Sequence, residues 1–430
     1  MYIARELQEN LVQFFRPGAA SGLILAGAVG CGKTTLIRYV LTQLDHDFRV
    51  FSYTGDDVQF RQAVASNTRY LHEQVSAQTT RPALIFIDEV QKSELIFDAV
   101  KYAFDHTPAS FIISGSNPAF LQTEARKRLQ RRAELWQLAP FSLGEILAHA
   151  KIVKPEWVRQ FREILFSWRT GQDIQLPLDI DENIKRIIAR YLSYGGFPLV
   201  HLAQDNDEKL LEIRKIVERG FELMSVNNDA AADTIKQELA RLHSREFTYQ
   251  GVFQRTGLRR RDQINKVIDA LINQGYLLKK KPLLSGEQRR SYISNFSYID
   301  PGIVTYLTGE ELLEDEAETG LRVEGYLHNR LRQILQLKPL KTQVNYYKPF
   351  SIDVNNKVKY GAGEIDFVIS IGQRLLPLEA KAGSELSRID TSLLVRFIRD
   401  HDVAFGVVAY GGLPYWDDSA RILYWPYWLV

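Results

Sequence analysis

The chain has 430 residues, 45% of them hydrophobic, and its 54 Lys and Arg against 52 Asp and Glu leave a net charge of +2. That length suits about three domains with ordinary cores, and the near-neutral balance means that any attraction to nucleic acid must come from local patches. The single cysteine, Cys31, excludes an intrachain disulfide and a cysteine zinc cluster, the eight histidines show no ligand spacing, no run of eighteen apolar residues occurs, and MYIARELQEN carries acid where a signal peptide would not, so a soluble cytoplasmic protein with no membrane partner is expected.

In chain order, the first predicted element is an apolar strand running into LILAGAVGCGKTT, residues 23–35. Gly27, Gly32, Lys33 and Thr34 fill the pattern G-x-x-x-x-G-K-[ST], with Gly30 inside it and Thr35 after it, and helix-forming LIRYVLTQL follows. Glycines there let backbone N–H groups surround phosphates, Lys33 reaches the terminal phosphates and the Thr34 hydroxyl ligates magnesium, so ATP with Mg2+ is the expected cofactor. A second apolar strand, RPALIFIDEVQK, ends in Asp88, the magnesium-side carboxylate, and Glu89, placed to polarise an attacking water. A third, ASFIISGSN, ends in Ser116 and Asn117, which a doubly wound sheet sets beside the γ-phosphate.

From about Ile146 to Asn228 the pattern turns helical, with ENIKRIIARYL and EKLLEIRKIVERGFELM as amphipathic runs and no strand-like stretch of any length. SYGGFPLV interrupts it, because Gly195, Gly196 and Pro198 break a helix. Residues 247–282 then read as two short helices around Gly257 and a strand-like YLLKK, a helix-turn-helix with a wing. Ten Lys or Arg face three acids between Arg255 and Arg290. Arg259, Arg260 and Arg261 are expected to start the second helix and Lys279, Lys280 and Lys281 to line the wing, as phosphate contacts to DNA. A protein interface or a solvated face would use the same residues.

From about Asp300 alternating strands return, ending in ILYWPYWLV, which reads as a buried edge or interface. Within this third, GEIDFVISIGQRLLPLEAKAG carries D-x(12)-E-x-K in Asp366, Glu379 and Lys381. Residues two apart on a strand face one side, so Glu379 and Lys381 project together and a hairpin partner can bring Asp366 beside them. Two such carboxylates suit Mg2+ or Mn2+, with the lysine acting on a water that attacks a phosphodiester. The set resembles a PD-(D/E)XK nuclease core, with Glu324 in LRVEGYLHNRL as the additional metal-side acid.

Together the phosphate loop, FIDEVQ, SGSN, RRAELWQLAPFSLGEIL and YGGFP resemble the archaeal and bacterial AAA+ ATPases that carry a conserved C-terminal domain of unknown function, over almost the whole chain. The resemblance implies an α/β fold with a P-loop AAA+ core over 1–145, a helical lid over 146–235, a winged helix over 236–299 and a restriction-endonuclease-like α/β domain over 300–430. It implies Arg132 as an arginine finger acting on a neighbouring subunit, hence a homo-oligomer, either a ring (as a hexamer) or a dimer. Gln130 and Arg131 stand where the family has L-x-G-R, which leaves the choice between Arg131 and Arg132 open. Pro198 would pack on the adenine, although a plain turn fits the same residues. The function expected on this reading is an ATPase that binds and remodels or cleaves DNA, branched or broken duplexes included, in genome maintenance or defence. The alternative is a nucleotide-switched signalling or scaffold ATPase whose nuclease-like domain only docks a partner.

Overall fold

The computed structural model describes residues 2–15, 20–77, 81–168, 180–224, 230–283, 294–310, 316–338, 340–352 and 358–430. The chain divides into two compact units, one of 1–140 with 270–276 and one of 141–269 with 277–430. The first break falls close to the expected boundary at residue 145. Residues 141–269 and 277–430 fall together in the second unit.

In unit 1 the described strands are β1 (Gly22–Ala26), β2 (Arg49–Thr54), β3 (Ala83–Asp88), β4 (Ser110–Gly115) and β5 (Glu134–Gln137). They form one parallel sheet in the order β2-β3-β4-β1-β5. The central strands are apolar on both faces, as helix-covered parallel strands must be. Ile24, Ile85, Ile87, Phe97, Val100 and Phe111 share their core. Inserting β4 between β1 and β3 sets three strand ends side by side at one edge of the sheet, where ligands of such sheets collect.

Unit 2 opens with the helices Leu143–His149, Pro155–Ser167, Glu182–Tyr194, Pro198–Leu202 and Asn206–Glu222, matching the helical run expected there. The helix Ala230–Arg241, β6 (Glu246–Phe247), the helices Tyr249–Thr256 and Arg261–Asn273, β7 (Leu277–Pro282) and β8 (Ser294–Tyr298) follow. The last turn and exit of Arg261–Asn273, Ala270–Tyr276, group with unit 1. Two helices, Pro301–Thr308 and the twenty-residue Glu316–Leu335, precede β9 (Thr342–Tyr347), so the strands expected from residue 300 begin about forty residues later. The rest are β10 (Phe350–Ile352), β11 (Val358–Tyr360), β12 (Ile365–Ile371), β13 (Arg374–Ala380), β14 (Gly406–Tyr410), β15 (Tyr415–Asp417) and β16 (Ile422–Pro426).

Among the described residues one sheet runs β15-β16-β14-β13-β12-β9-β7-β8-β6. The hairpin strand β7 pairs in parallel with β9, Lys281 opposite Asn345, so the expected wing is built into the C-terminal sheet. The aromatic segment at 422–430 is interior: β15 flanks β16, Trp425 and Trp428 are fully buried, and the Arg330 Nε donates to the Val430 carbonyl at 2.7 Å.

Candidate functional site

The loop after β1 takes a shape that glycine permits. Gly30 and Gly32 have φ of +85° and +87°, and a Cβ at Gly27 would stand 2.3 Å from the Leu138 carbonyl oxygen. Gly32 caps the helix Lys33–Leu44 without a side-chain hydrogen bond, leaving first-turn N–H groups and the positive end of the helix dipole to the loop. The Lys33 ammonium is buried and donates to the Gly27 and Ala28 carbonyls at 2.9 and 3.1 Å. Burial pulls its pKa down, against the opposing influence of the Cys31 thiol and the Glu89 and Asp88 carboxylates nearby. Phosphate oxygens would offer this cation stronger partners than two carbonyls do. Thr35 is exposed.

Asp88, at the end of β3, accepts from the Thr34 Oγ1 at 2.6 Å and from the Ser114 hydroxyl of β4. Glu89 holds a left-handed backbone at φ +50°, which for a non-glycine residue marks local strain. Gly55 lets it, since a Cβ there would stand 2.2 Å from the Glu89 carbonyl oxygen. The Gln91 amide donates to the Glu89 carboxylate and to the Ser116 Oγ at 2.8 Å. Asn117 caps the helix Pro118–Arg128, its side-chain oxygen accepting from the Phe120 N–H at 3.0 Å. Lys33, Thr34, Asp88, Glu89 and Ser116 thus converge at one edge of the sheet, and the hydrogen bonds just given join their charged groups to neutral partners. Ser114 and Gln91 belong to the set and were missed. Gln91 follows Glu89 by two, and Ser114 sits where β4 passes Asp88; nothing in sequence spacing shows the second relation.

The donor set fits ATP with a magnesium ion, because Thr34 and Asp88 already lie within one hydrogen bond of each other and the hydrogen-bond partners of Lys33 among the described residues are carbonyls of its own loop. When bound, the ion neutralises phosphate charge. With nucleotide bound, the loop would cradle the phosphates, Lys33 would clamp them and Glu89 would offer a carboxylate to a water.

Arg132 is held by Asp105 through two bonds, Nε to Oδ1 at 2.6 Å and Nη2 to Oδ2 at 2.8 Å, and this pairing raises the arginine and lowers the aspartate pKa. Its neighbour Arg131 is exposed, has φ +66° and makes no ion pair among the described residues.

In unit 2, Gly195 and Gly196 are explained by packing. A Cβ at Gly195 would meet the Asp300 Oδ1 at 1.7 Å, and one at Gly196 the Phe141 carbonyl oxygen at 2.2 Å. The Asp300 carboxylate accepts from the Gly196 N–H at 2.7 Å and the Gly302 N–H at 2.9 Å. Burial pushes its pKa up to about 7 against those two bonds and Arg322. Pro198 is the first residue of the helix that follows the turn and is half-buried.

The helix Arg261–Asn273 buries Ile264, Val267, Ile268 and Leu271. It begins at Arg261, so Arg259 and Arg260 precede it rather than open it. All three arginines are exposed; Arg260 pairs with Asp262 at 2.7 Å, and the Arg261 guanidinium lies 5.0 Å from the Tyr249 ring centroid. Lys281 is exposed and Lys279 half-buried, its ammonium 5.7 Å from the Phe296 ring centroid. Lys280 departs from the expectation: it faces the opposite side of β7, is fully buried, and donates to the Glu324 Oε1 at 2.5 Å and the Asp366 carbonyl at 2.9 Å. Alternation along a strand makes the difference, because Leu278, Lys280 and Pro282 share one face. Arg289 and Arg290 lie outside the described residues.

Asp366 on β12, Glu379 on β13 and Lys381 just after it lie near one another, and Glu324 approaches from the helix Glu316–Leu335. Their partners differ from the expectation. The Asp366 Oδ2 accepts from the Ala380 N–H at 2.8 Å, and Lys381 donates to the Glu379 Oε1 at 2.7 Å. Burial raises the pKa of Glu324 and of Glu379, with the Lys280 and Lys381 charges respectively opposing it. Among the described residues no group of three or more His, Cys, Asp or Glu is arranged to hold a metal ion. Of the set expected to carry Mg2+ or Mn2+, Glu324, Asp366 and Glu379 each have one oxygen engaged within the chain, by the Lys280 ammonium, the Ala380 N–H and the Lys381 ammonium respectively.

Strand order, phosphate loop and paired acids define a P-loop nucleotide-binding unit. Residues 20–147 match the family model described as an AAA domain, so the chain carries an AAA+ ATPase domain, of a superfamily that binds and hydrolyses ATP with Mg2+. No curated protein matches the chain. Among solved structures it is similar to Cdc6p from Pyrobaculum aerophilum, at 15% identity over 73% of this chain and 97% of that one, with a TM-score of 0.26. It is also similar to domain III of the replication initiation protein DnaA from Thermotoga maritima, at 17% identity over 50% of this chain and 95% of that one, with a TM-score of 0.28. Neither superposition is close, and the strand order above rests on the chain's own pairing. No described helix is long and apolar enough to cross a membrane.

Proposed function

We propose that the chain is an ATP-hydrolysing AAA+ ATPase that binds DNA and remodels it under nucleotide control. The convergence of Lys33, Thr34, Asp88 and Glu89 at the ends of neighbouring strands carries this reading, since it supplies a phosphate clamp, an ion-side carboxylate and a carboxylate for water in one place. A winged helix is supported by the order helix, strand, two helices and two paired strands among the described residues of 230–298, with exposed Arg259, Arg260, Arg261 and Lys281 as its phosphate contacts. An arginine finger acting on a neighbouring subunit of a ring or dimer falls to Arg131, because Arg132 is tied to Asp105. Phosphate release with and without duplex, forked or four-way DNA tests the reading. Turnover is expected to need Lys33, and a wild-type chain that neither hydrolyses ATP nor binds any of these DNAs would sink it.

For the C-terminal domain the ion pair of Lys280 with Glu324 favours a docking platform over a nuclease. The platform reading expects no cleavage of the same DNAs with Mg2+ or Mn2+. Metal-dependent cutting that disappears in Asp366→Ala would restore the nuclease.

A further inference from the structure

We infer that the ammonium of Lys280 is a tethered cation that fills the acidic site of the C-terminal sheet in place of a divalent ion, and so locks the hairpin strand β7 onto that site. Three observations converge. Lys280 has no solvent exposure, although it belongs to a run of three lysines whose other members are half-buried or exposed. An ammonium has three donor directions. One meets the Glu324 Oε1, one the Asp366 carbonyl oxygen at 2.9 Å, and the face of Phe367 lies 4.4 Å away, centroid to Nζ. The other acids have taken partners of their own, Asp366 the Ala380 N–H and Glu379 the Lys381 ammonium.

A magnesium ion needs near-octahedral oxygen ligands at about 2.0–2.1 Å and retains several waters. Lys280 works against that arrangement: it engages an oxygen of Glu324 and the Asp366 carbonyl, and it brings a positive charge against the acids an ion would need. The metal and the lysine therefore exclude each other. Because Lys280 reaches the site from β7, whose neighbour Lys281 stands opposite Asn345 of β9, the same contact fixes the hairpin's register on the sheet. Glu324 is buried beside it and burial already raises its pKa against the Lys280 charge, so a chain lacking that charge must protonate the carboxyl or leave it uncompensated in the interior.

The inference deepens the docking-platform reading, and its test separates the two. Mn2+ is titrated calorimetrically into the nucleotide-free full chain, with Asp88→Asn present throughout to silence the phosphate-loop side, and melting is followed with EDTA or Mn2+. The Asp88→Asn chain is expected to bind no Mn2+ at the acidic site and to melt alike in both. Adding Lys280→Met should lower the melting temperature, Mn2+ should recover part of the loss, and adding Glu324→Gln should recover most of it while abolishing the Mn2+ effect. If Lys280→Met does not fold alone, folding of the Lys280→Met/Glu324→Gln pair reads out the same coupling, and failure of both counts against it. One Mn2+ bound per chain and abolished in Asp366→Asn would overturn the inference, as would a Lys280→Met chain that melts like its parent. Mn2+ binding without DNA cleavage would overturn it and leave the docking platform standing.

Discussion

Both units of this protein gather lysines and carboxylates around a sheet, and they use them in opposite ways. At the phosphate loop Lys33 leans on two carbonyls, Asp88 on two hydroxyls and Glu89 on an amide and, more distantly, the Ser116 hydroxyl. Neutral partners can be exchanged for a phosphate or an ion at small cost, so the charges are held ready for a ligand. In the C-terminal sheet Glu324 and Glu379 are each joined to an ammonium from their own chain. There the charges have already met, and what a ligand would provide is present covalently. Residue types alone do not make a catalytic centre; whether the opposite charge arrives from solution or from the chain decides it.

The sharpest way to break this contrast is to remove one lysine from each side. Lys33→Ala should abolish ATP turnover with little change in melting temperature, whereas Lys280→Met should cost about 3–5 kcal/mol of stability with turnover per folded chain unchanged. Phosphate release and denaturant unfolding on the same two variants give the answer, and a Lys280→Met chain that is stable but inactive would reverse the assignment. On the ready side, Glu89→Gln should keep nucleotide bound and slow hydrolysis by roughly 10²–10⁴-fold, as loss of general-base assistance does; normal turnover would remove Glu89 from the mechanism.

The interior side should also announce itself in pH. Asp300 is raised by burial from 3.8 to about 7, and burial raises Glu324 and Glu379 in the same direction. Between those values the unfolded chain binds fewer protons than the folded one, so unfolding free energy falls as pH rises. The stability these groups contribute is complete below about pH 4 and lost as pH passes through about 7 for Asp300 and Glu324 and about 8 for Glu379. A denaturant midpoint that stays level or climbs from mildly acidic to neutral pH would contradict the buried placement. Smaller again, Gly195→Ala should cost about 1–3 kcal/mol in backbone strain at φ +80°, before the Asp300 carboxylate is displaced. The smallest effect is expected from the exposed arginines. Replacing Arg259, Arg260 and Arg261 with alanine should leave folding intact and reduce the slope of log K against log salt for duplex DNA by roughly 0.9 for each phosphate that is no longer neutralised. An unchanged slope would make that face a protein contact.

The nucleotide half was legible because its chemistry is local. A glycine pattern, an apolar strand and a terminal acid pair each sit within about a dozen neighbouring residues, and the backbone geometry they need is dictated by those residues themselves. Asp366, Glu379 and Lys381 were legible for the same reason, since strand alternation and one hairpin suffice to bring them together. What no local pattern contains is the partner that arrives from elsewhere. Lys280 lies 44 residues from Glu324 and reads as one of three surface lysines until β7 joins β9; Asp105 claims Arg132 from 27 residues away, and Asp300 fills the space that Gly195 leaves. The sequence by itself determined which groups can bear charge and which backbone turns are allowed. Tertiary structure decided which charges were neutralised within the chain, because that depends on burial and on contacts between distant segments, where solvent no longer screens one charge from the next.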